Sequence, residues 1–549
     1  MAELVLGPLL RYVDATDATI WVETDAACEV EALGHRARTF AVEGHHYALV
    51  CIENLAPASR YEYSVALDGV RVWPEADTSF PPSVIRTFDE NTAFKLAFGS
   101  CRVAMPLEPP YTLTKRESEQ GFEIDALYAL SHRLHGLAPD EWPHALFLLG
   151  DQVYADEVAP DTLDFIRTRR DITQPPGKEI ADFEEYTRLY RDSWTQPEIR
   201  WLLANIPSAM IFDDHDVHDD WNISASWVAD MRAKPWWHAR ITGAFMSYWI
   251  YQHLGNLSPR ALAQDELYQT VRQMNDAGAE LRAFAERADR ERNTYWWSYH
   301  RDFGKTRLLV IDSRAGRALE PDRRSMVSGE EWEWIRTHAQ GDFDHLLLGT
   351  SLPALLGPGI HYLEAWNEAV CAGAWGAWAA KKAEKIRRWV DLEHWSAFQR
   401  SFKHLIELLR TLASGGRAPA TITFLSGDVH HTYLVEARFG GETPVKSRIY
   451  QAVCSPFRNP LGKKQRRTMH ACWLWPLALP IKAAARLAGI ERPAIAWRRT
   501  HDDLWFDNVV AELELSGAEA RIKIEKCPPG DVEHPRLEQV YAYDLTSGK

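Results

Sequence analysis

Apolar and polar residues alternate in short segments over the first part of the chain. The segments that alternate most clearly are TIWVETD, CEVEALG, TFAVEG, HYALVCIENL and YEYSVALDGV. A period of two residues is typical of strands that bury one face, and turn residues separate these segments. We therefore predict a small all-β sandwich of immunoglobulin or fibronectin type over residues 1–90, which ends in the linker SFPPSVIRTFDENTA.

Continuous apolar runs replace this alternation from residue 94 onward. The runs and the residues that follow them are FKLAFGSC, HALFLLGDQVYAD, SAMIFDDHD, TRLLVIDSR, HLLLGTSLP and TITFLSGDVHH. A short run that is apolar at successive positions is typical of a strand buried on both faces. Each run ends in polar residues, and ligands of open α/β sheets bind beyond the carboxyl ends of the strands. We expect these six strand ends to converge on one site.

Amphipathic segments between the runs predict helices, among them FEEYTRLYRDSWTQPEIRWLLANI and GEEWEWIRTHA. Two helical inserts are predicted at about 355–415 and 461–490, and the tryptophans of the first are expected to pack in a core or a lid. The tail NVVAELELSGAEARIKIEK alternates as a hairpin does and should add edge strands to a sheet. Residues 91–549 are therefore predicted to form one α/β domain.

Composition and charge narrow the classes of function. The chain of 549 residues is 46% hydrophobic and 25% charged, which is ordinary for a globular protein. Its formal charge of −15 argues against a nucleic acid held by a basic surface. The seven cysteines include no C-x-x-C pair, so we expect a reducing compartment rather than a disulfide framework. The N-terminus has neither a signal-peptide pattern nor a twin arginine, so we expect a cytoplasmic protein.

The most membrane-like segment is ACWLWPLALPIKAAARLAGI at residues 471–490. It contains two prolines and a lysine, so we predict no transmembrane span. We expect a helical lid over a pocket. Because KKQRR lies shortly before the segment, contact of residues 461–490 with a membrane interface is the alternative.

An acidic cluster, FDDHDVHDDWN, follows the apolar run SAMI and occupies residues 212–222. Carboxylates at close quarters raise one another's pKa until some of them protonate, unless cations neutralise them. Asp213, Asp214 and Asp220 are therefore candidate metal ligands. The alternative is a solvated acidic loop.

Other strand ends carry further metal-binding residue types. Asp151 follows a predicted strand and Tyr154 comes three residues later; a phenolate ligand needs a strong Lewis acid such as ferric iron. The alternative for this pair is a helix-capping aspartate and a core tyrosine. Cys101, Asp428 and His430 end two other runs and can bind the same or a neighbouring ion. No G-x-S-x-G elbow is present, which disfavours a serine hydrolase.

The motifs FGSCR, GDQVYAD, FDDHD, VIDSR and SGDVHH, in this order, resemble those of the alkaline phosphatase D, or PhoD-like, metallophosphatases of the calcineurin-like phosphoesterase superfamily. The resemblance implies a four-layer αββα sandwich with a ferric ion and one or more calcium ions. By motif, the residues that would surround the iron are Cys101, Asp151, Tyr154 and His430. Calcium would be held by Asp151, Asp428 and residues of the 213–220 loop.

The chain departs from the better-known members of that family after the acidic motif. Asp219 and Asp220 stand where those members have an asparagine pair, so manganese, zinc or magnesium is an alternative at the second metal site.

The resemblance also implies a phosphoester hydrolase, in which a metal-bound hydroxide attacks the phosphorus of a small-molecule phosphomonoester or diester. His215 is the candidate for protonating the leaving group, with a metal-ordering role as the alternative. Arg314 is the candidate phosphate clamp, and a structural salt bridge near Asp312 is its alternative. Weaker candidates for substrate contact are Arg102, Asn222 and His431. The alternative functions are a phosphodiesterase or phospholipase D-type hydrolase on the same scaffold, and a catalytically degenerate metal-binding regulatory protein.

Overall fold

The computed structural model describes residues 1–89, 92–440 and 445–548. The predicted boundary between Glu90 and Asn91 lies outside the described residues, as does part of the predicted linker. Strands and helices follow one another in an α/β arrangement, which confirms the predicted class for the larger part of the chain.

The N-terminal segment contains ten strands. They are β1 (Leu4–Val13), β2 (Ala18–Thr24), β3 (Glu29–Ala32), β4 (His35–Arg38), β5 (Phe40–Val42), β6 (His45–Ile52), β7 (Arg60–Glu62), β8 (Val65–Leu67), β9 (Val70–Trp73) and β10 (Val84–Arg86). One antiparallel sheet has the order β1-β2-β6-β5 and a second has the order β4-β3-β8-β9. Ile20 and Val50 of the first sheet share a buried cluster with Val30 and Leu67 of the second. Two antiparallel sheets with a common core agree with a sandwich, while its immunoglobulin or fibronectin type stays a prediction.

The remaining strands form two larger sheets. The strands are β11 (Phe94–Gly99), β12 (Ala145–Leu149), β13 (Ser208–Ile211), β14 (Tyr299–Phe303), β15 (Thr306–Val310), β16 (His345–Gly349), β17 (Thr421–Ser426), β18 (Tyr433–Phe439), β19 (Arg448–Val453), β20 (Ile495–Arg499), β21 (Asn508–Ser516), β22 (Glu519–Cys527) and β23 (Glu538–Asp544). The first large sheet has the order β13-β12-β11-β21-β22-β23, and the second has the order β14-β15-β16-β17-β19-β18-β20. All six apolar runs form strands, and within each sheet these strands are parallel, so their carboxyl ends share an edge.

The helices flank these sheets. They are α1 (Ala126–His135), α2 (Pro160–Arg169), α3 (Phe183–Trp194), α4 (Pro197–Asn205), α5 (Ala225–Arg232), α6 (Trp237–Ser247), α7 (Pro259–Gln264), α8 (Glu266–Val271), α9 (Gly278–Arg290), α10 (Gly329–His338), α11 (Pro358–Cys371), α12 (Gly376–Trp389), α13 (Gln399–Ser414), α14 (Lys463–Cys472) and α15 (Trp475–Leu487). The segment predicted as one helix over 183–206 is divided into α3 and α4, because Pro197 begins a new helix and cannot continue the first. Among the described residues, no helix combines the length and the apolarity that crossing a bilayer requires.

The two large sheets share a buried core. Phe98 and Phe147 of the first sheet belong to the same apolar cluster as Leu308 and Leu347 of the second. The alternate residues of the second sheet, such as Leu309, pack with α10 and α13 in another cluster. This arrangement brings the carboxyl ends of strands from both sheets together; the full four-layer description stays a prediction.

The predicted C-terminal hairpin forms as β21 and β22. It does not lie at the edge of the sheet, because β21 pairs with β11 on one side and β23 pairs with β22 on the other. The hairpin therefore extends the first large sheet from its centre outward.

Candidate metal centre

The turns after the strands hold their residues in an uncommon backbone conformation. Cys101, Asp151, Asp428 and His430 have φ angles of 56°, 51°, 63° and 49°. Non-glycine residues seldom adopt positive φ, and where they do the surrounding structure must impose it. Gly150, with φ of 100°, precedes Asp151, and a Cβ at this position would lie 2.6 Å from the Cβ of Asp213. The turn after β12 therefore packs directly against the turn after β13.

A first cluster forms around one carboxylate. The Oδ2 atom of Asp151 lies 3.3 Å from the Sγ of Cys101 and 3.4 Å from the hydroxyl oxygen of Tyr154. His430 brings a ring nitrogen to within 4.8 Å of the Cys101 and Asp151 ligand atoms. The structure thus brings together the residues that the resemblance assigns to iron.

A second cluster shares Asp151. Ligand atoms of Asp151, Asp213 and Asp214 lie within 4.8 Å of one another, and Asp214 forms a further group with His215 and Asp219. One oxygen each of Asp151, Asp213 and Asp220 is buried and has no hydrogen-bond partner among the described residues. Burying a carboxylate oxygen without a partner costs free energy of folding. These oxygens are therefore suited to act as ligands of a cation.

Burial shifts the pKa values of these groups strongly. It raises the pKa of Asp151 and Asp213 well above the ordinary range, and neighbouring acidic groups raise it further. Burial, with Glu393 and Asp391, raises the pKa of Asp220 to about 9. Burial raises the pKa of Cys101 to about 12. Without a cation, burial therefore favours the protonated forms of these groups, whereas a bound cation favours the ionised forms, which are the ligands.

The donor set fits two different kinds of metal ion. Thiolate, phenolate and imidazole around Asp151 suit a transition metal such as ferric iron, whereas a cluster of carboxylates alone suits a hard divalent cation. Asp151 belongs to both groups of ligand atoms.

Arg314 is fully buried among the carboxylates. Its Nε donates to Asp213 and its Nη1 to Glu393, while its Nη2 lies 3.1 Å from Asp214 Oδ1 and 3.3 Å from Asp428 Oδ1. Although burial opposes it, these carboxylates raise the pKa of Arg314 well above its usual value. The guanidinium therefore neutralises and orients the acidic cluster. These partners differ from Asp312, whose Oδ1 accepts the backbone N–H of Arg314 at 2.8 Å. The salt-bridge alternative near Asp312 and contact with a phosphate both stay predictions.

His215 lies at the partly exposed side of the cluster. Its ring stacks on Tyr154 with the ring centres 4.5 Å apart, and its Nδ1 lies 2.9 Å from Asp156 Oδ1. Although burial opposes it, the Asp156 carboxylate raises the pKa of His215 well above its usual value. With 24% of its side chain exposed, His215 can be reached by solvent.

The weaker sequence candidates lie in different surroundings. Asn222 donates through Nδ2 to the backbone oxygen of Arg314 at 3.1 Å. Arg102 is buried and binds Asp125 at 2.6 Å and the backbone oxygen of Ser193 at 2.8 Å. His431 is buried, with its Nδ1 2.7 Å from the backbone oxygen of Val429. These hydrogen bonds support the fold around the site, so substrate contact by the three residues stays a prediction.

The structure adds residues that the motifs did not indicate. Glu393 and His394 follow α12; Glu393 binds Arg314, and His394 Nε2 lies 3.0 Å from Asp428 Oδ2. Asn459 donates to the Tyr154 hydroxyl at 3.2 Å. Glu393 and His394 had a signal in the sequence. The segment DLEHW at 391–395 places two acidic residues and a histidine between two helices.

Comparisons with known proteins give the family of this chain and a solved structure of similar fold. A family model described as PhoD-like phosphatase matches residues 132–450, and a model described as a domain of unknown function (DUF7800) matches residues 1–85. A solved structure titled "Structure of PhoD" superimposes with a TM-score of 0.61 and 11% sequence identity, covering 99% of this chain and 91% of that one. At this identity the superposition shows similarity of fold. A search of curated protein sequences finds no match.

Proposed function

The chain belongs to the PhoD-like phosphatase family, and we propose that it hydrolyses small-molecule phosphoric esters at a two-metal centre built on Asp151. The observation that carries this proposal is the position of Asp151 between two ligand groups, one with Cys101 and His430 and the other with Asp213 and Asp214. Two cations that share a carboxylate are the arrangement that stabilises phosphoryl transfer in many hydrolases.

Each group supports a different metal. The iron site that we propose has Cys101, Asp151, Tyr154 and His430 as ligands. The second site has Asp151, Asp213, Asp214, Asp220 and Asp428, and calcium, manganese, zinc or magnesium would be its ion. When bound, these ions would activate a water molecule for attack on phosphorus and offset the charge of the phosphoryl oxygens.

Three residues of the chain would donate a proton or position the metal ligands. His215, which is partly exposed and whose Nδ1 lies 2.9 Å from Asp156 Oδ1, would give a proton to the leaving oxygen. Arg314 holds three carboxylates of the site in a fixed arrangement, and a fixed arrangement is what metal-assisted catalysis requires. Asn459 fixes the hydroxyl of Tyr154 toward the cluster.

The test begins with protein purified without chelator. We would record its visible spectrum, measure its metals by mass spectrometry and assay hydrolysis of p-nitrophenyl phosphate and bis(p-nitrophenyl) phosphate. We expect a coloured protein with bound iron, and Tyr154→Phe should bleach the colour and lower turnover. Tyr63→Phe is the matched control, because Tyr63 is also buried but binds the backbone oxygen of Ala204.

The outcomes separate the parts of the proposal. A colourless protein that contains zinc or manganese and hydrolyses either ester would retain the phosphatase and overturn the iron site. Hydrolysis of only one of the two esters would decide between monoesterase and diesterase. Metal-loaded protein without activity on either ester would contradict the proposed function.

A further inference from the structure

The helix α15 exposes large apolar side chains. Leu474, Trp475, Leu477, Leu479 and Leu487 are 54%, 52%, 52%, 54% and 81% exposed, whereas the side chains that α15 buries are those of Ala478 and Ala485. A helix on the surface of a water-soluble protein normally turns its large apolar residues inward. An apolar patch of this kind marks an interaction site. We refer to α14 and α15, with the linking Trp473 and Leu474, as the apolar-basic surface.

The charge of this surface is opposite to that of the whole chain. No aspartate or glutamate occurs from Val445 to Ile490, although the chain carries a formal charge of −15. The basic residues of the apolar-basic surface are Lys463, Lys464, Arg466, Arg467, Lys482 and Arg486. The Nζ of Lys482 lies 4.8 Å from the ring centre of Trp475, so on α15 a cationic group and an exposed aromatic side chain lie together.

The apolar-basic surface packs against α11 and α12 of the larger domain. A Cβ on Gly359 would lie 2.9 Å from the backbone oxygen of Cys472, so the end of α14 packs closely on the start of α11. Ala488, just after α15, shares a buried cluster with Val370 of α11 and Ala383 of α12. The helices that carry the exposed leucines are therefore anchored to the domain by buried contacts.

We propose that the apolar-basic surface docks the protein onto a membrane with anionic headgroups. Tryptophan and leucine would enter the boundary between headgroups and acyl chains, and the lysines and arginines would contact the anionic headgroups. Two copies of this chain joined through the same surface would bring the basic residues face to face, which disfavours a second copy as the occupant. An acidic protein would match the charge but leave the leucines without an apolar partner.

The apolar-basic surface is connected to the candidate metal centre through α11. The helix α11, on which α15 packs, carries Glu364, and Glu364 Oε1 lies 2.6 Å from Nδ1 of His394 at the site. Asn459, which donates to Tyr154, precedes α14 by four residues. The membrane proposal does not depend on the proposed activity, but docking would bring this centre close to the headgroup region.

The experiment is sedimentation of the full chain with vesicles. The vesicles are phosphatidylcholine alone, or phosphatidylcholine in which about a third of the lipid is phosphatidylglycerol. We expect binding at least about tenfold stronger to the anionic vesicles, and weaker binding as salt is raised. Equal binding to both vesicles, or no binding to either, would overturn the proposal.

Two sets of substitutions test the surface. The combination Trp475→Ala, Leu477→Ala and Leu479→Ala removes apolar contacts, and the combination Lys463→Glu, Lys464→Glu and Arg467→Glu reverses charge. Each should lower vesicle binding about tenfold or more. The control, Arg60→Glu with Arg71→Glu on the N-terminal sheets, should bind as the wild type does.

Folding and self-association are measured on the same samples. Circular dichroism should be unchanged in every variant, because the substituted side chains are largely exposed. If light scattering shows a dimer that the apolar combination dissociates, and the wild type does not bind vesicles, the surface belongs to a second copy and the membrane proposal is wrong.

Discussion

The Nε2 atom of His394 lies 3.0 Å from the Oδ2 atom of Asp428, which follows β17 at the candidate metal centre. The other ring nitrogen of His394 lies 2.6 Å from Oε1 of Glu364, on α11. Although burial opposes it, Glu364 raises the pKa of His394 well above its usual value. The imidazole of His394 therefore lies between two carboxylates and fixes the orientation of Asp428.

Substitution of His394 should weaken the metal centre. His394→Gln removes the ring that orients Asp428, and loss of such an outer partner typically costs about 10–100-fold in metal affinity or activity. Metal content and kcat/KM would be measured together. Glu364→Gln keeps a hydrogen-bond acceptor for His394, so its loss should be smaller. A His394→Gln protein with wild-type metal content and turnover would contradict this role.

Substitution of Arg314 should destabilise the protein in a way that metal partly reverses. Arg314→Gln leaves several buried carboxylates without their cation, and breaking a buried ion pair costs about 3–5 kcal/mol. Added metal should recover part of this loss, because it supplies the missing positive charge. The free energy of unfolding in urea, with chelator and with metal, is the measurement.

A second buried arginine supplies the control for Arg314. Arg301 binds the backbone oxygens of Asn256, Gly255 and Arg11 rather than carboxylates. Arg301→Gln should also destabilise the protein, but metal should not restore it. Equal rescue of both variants would mean that metal stabilises the fold without replacing the charge of Arg314.

Asp216 should support the metal centre without belonging to it. Its Oδ2 accepts the backbone N–H of Asp151 at 2.9 Å and that of Asp213 at 2.8 Å, so one carboxylate holds both ligand-bearing turns. Asp216→Ala leaves two buried amides without an acceptor, at about 2 kcal/mol or more in the free energy of unfolding. We expect lower metal content as well, measured by mass spectrometry. Lower stability with unchanged metal content would mean that Asp216 stabilises the fold but does not support metal binding.

The strands that carry the site were predictable because buried parallel strands appear in a sequence as apolar runs. Cys101, Asp151 and Asp428 each follow such a run, and all three lie at the site. Which aspartates of the acidic cluster have oxygens available to a metal, and which accept backbone hydrogen bonds, was not predictable. Asp213 and Asp216 are three residues apart and chemically identical, yet one has a free buried oxygen and the other accepts backbone amides.

Glu364 and His394 could not be connected to Asp428 from the sequence, although the segment DLEHW marks His394 as a candidate. They lie in a helical, tryptophan-rich block, far along the chain from Asp428, and reach it only because α11 and the segment after α12 pack over the end of β17. Tertiary packing of this kind leaves no periodic pattern. The positive φ angles at the strand ends are likewise invisible in the sequence, although they aim the ligands.

The last prediction concerns the contact between the N-terminal segment and the larger α/β part. His45 Nδ1 lies 3.2 Å from Glu23 Oε1 of β2, and its Nε2 lies 2.8 Å from Glu184 Oε2 of α3. Although burial opposes it, the hydrogen bonds to Glu184 and Glu23 raise the pKa of His45 from 6.5 to about 9. The folded protein therefore binds this proton more tightly than the unfolded chain does.

A raised pKa in the folded state fixes the sign of the pH dependence. The stabilisation is complete below pH 6.5 and is lost as the pH rises through about 9. It amounts to at most about 3 kcal/mol, because each pKa unit corresponds to about 1.4 kcal/mol. Urea unfolding between these pH values should show a steeper loss of stability for the wild type than for His45→Gln, and Glu184→Gln should lie between the two. Parallel pH profiles for all three proteins would mean that His45 does not hold its proton at this contact.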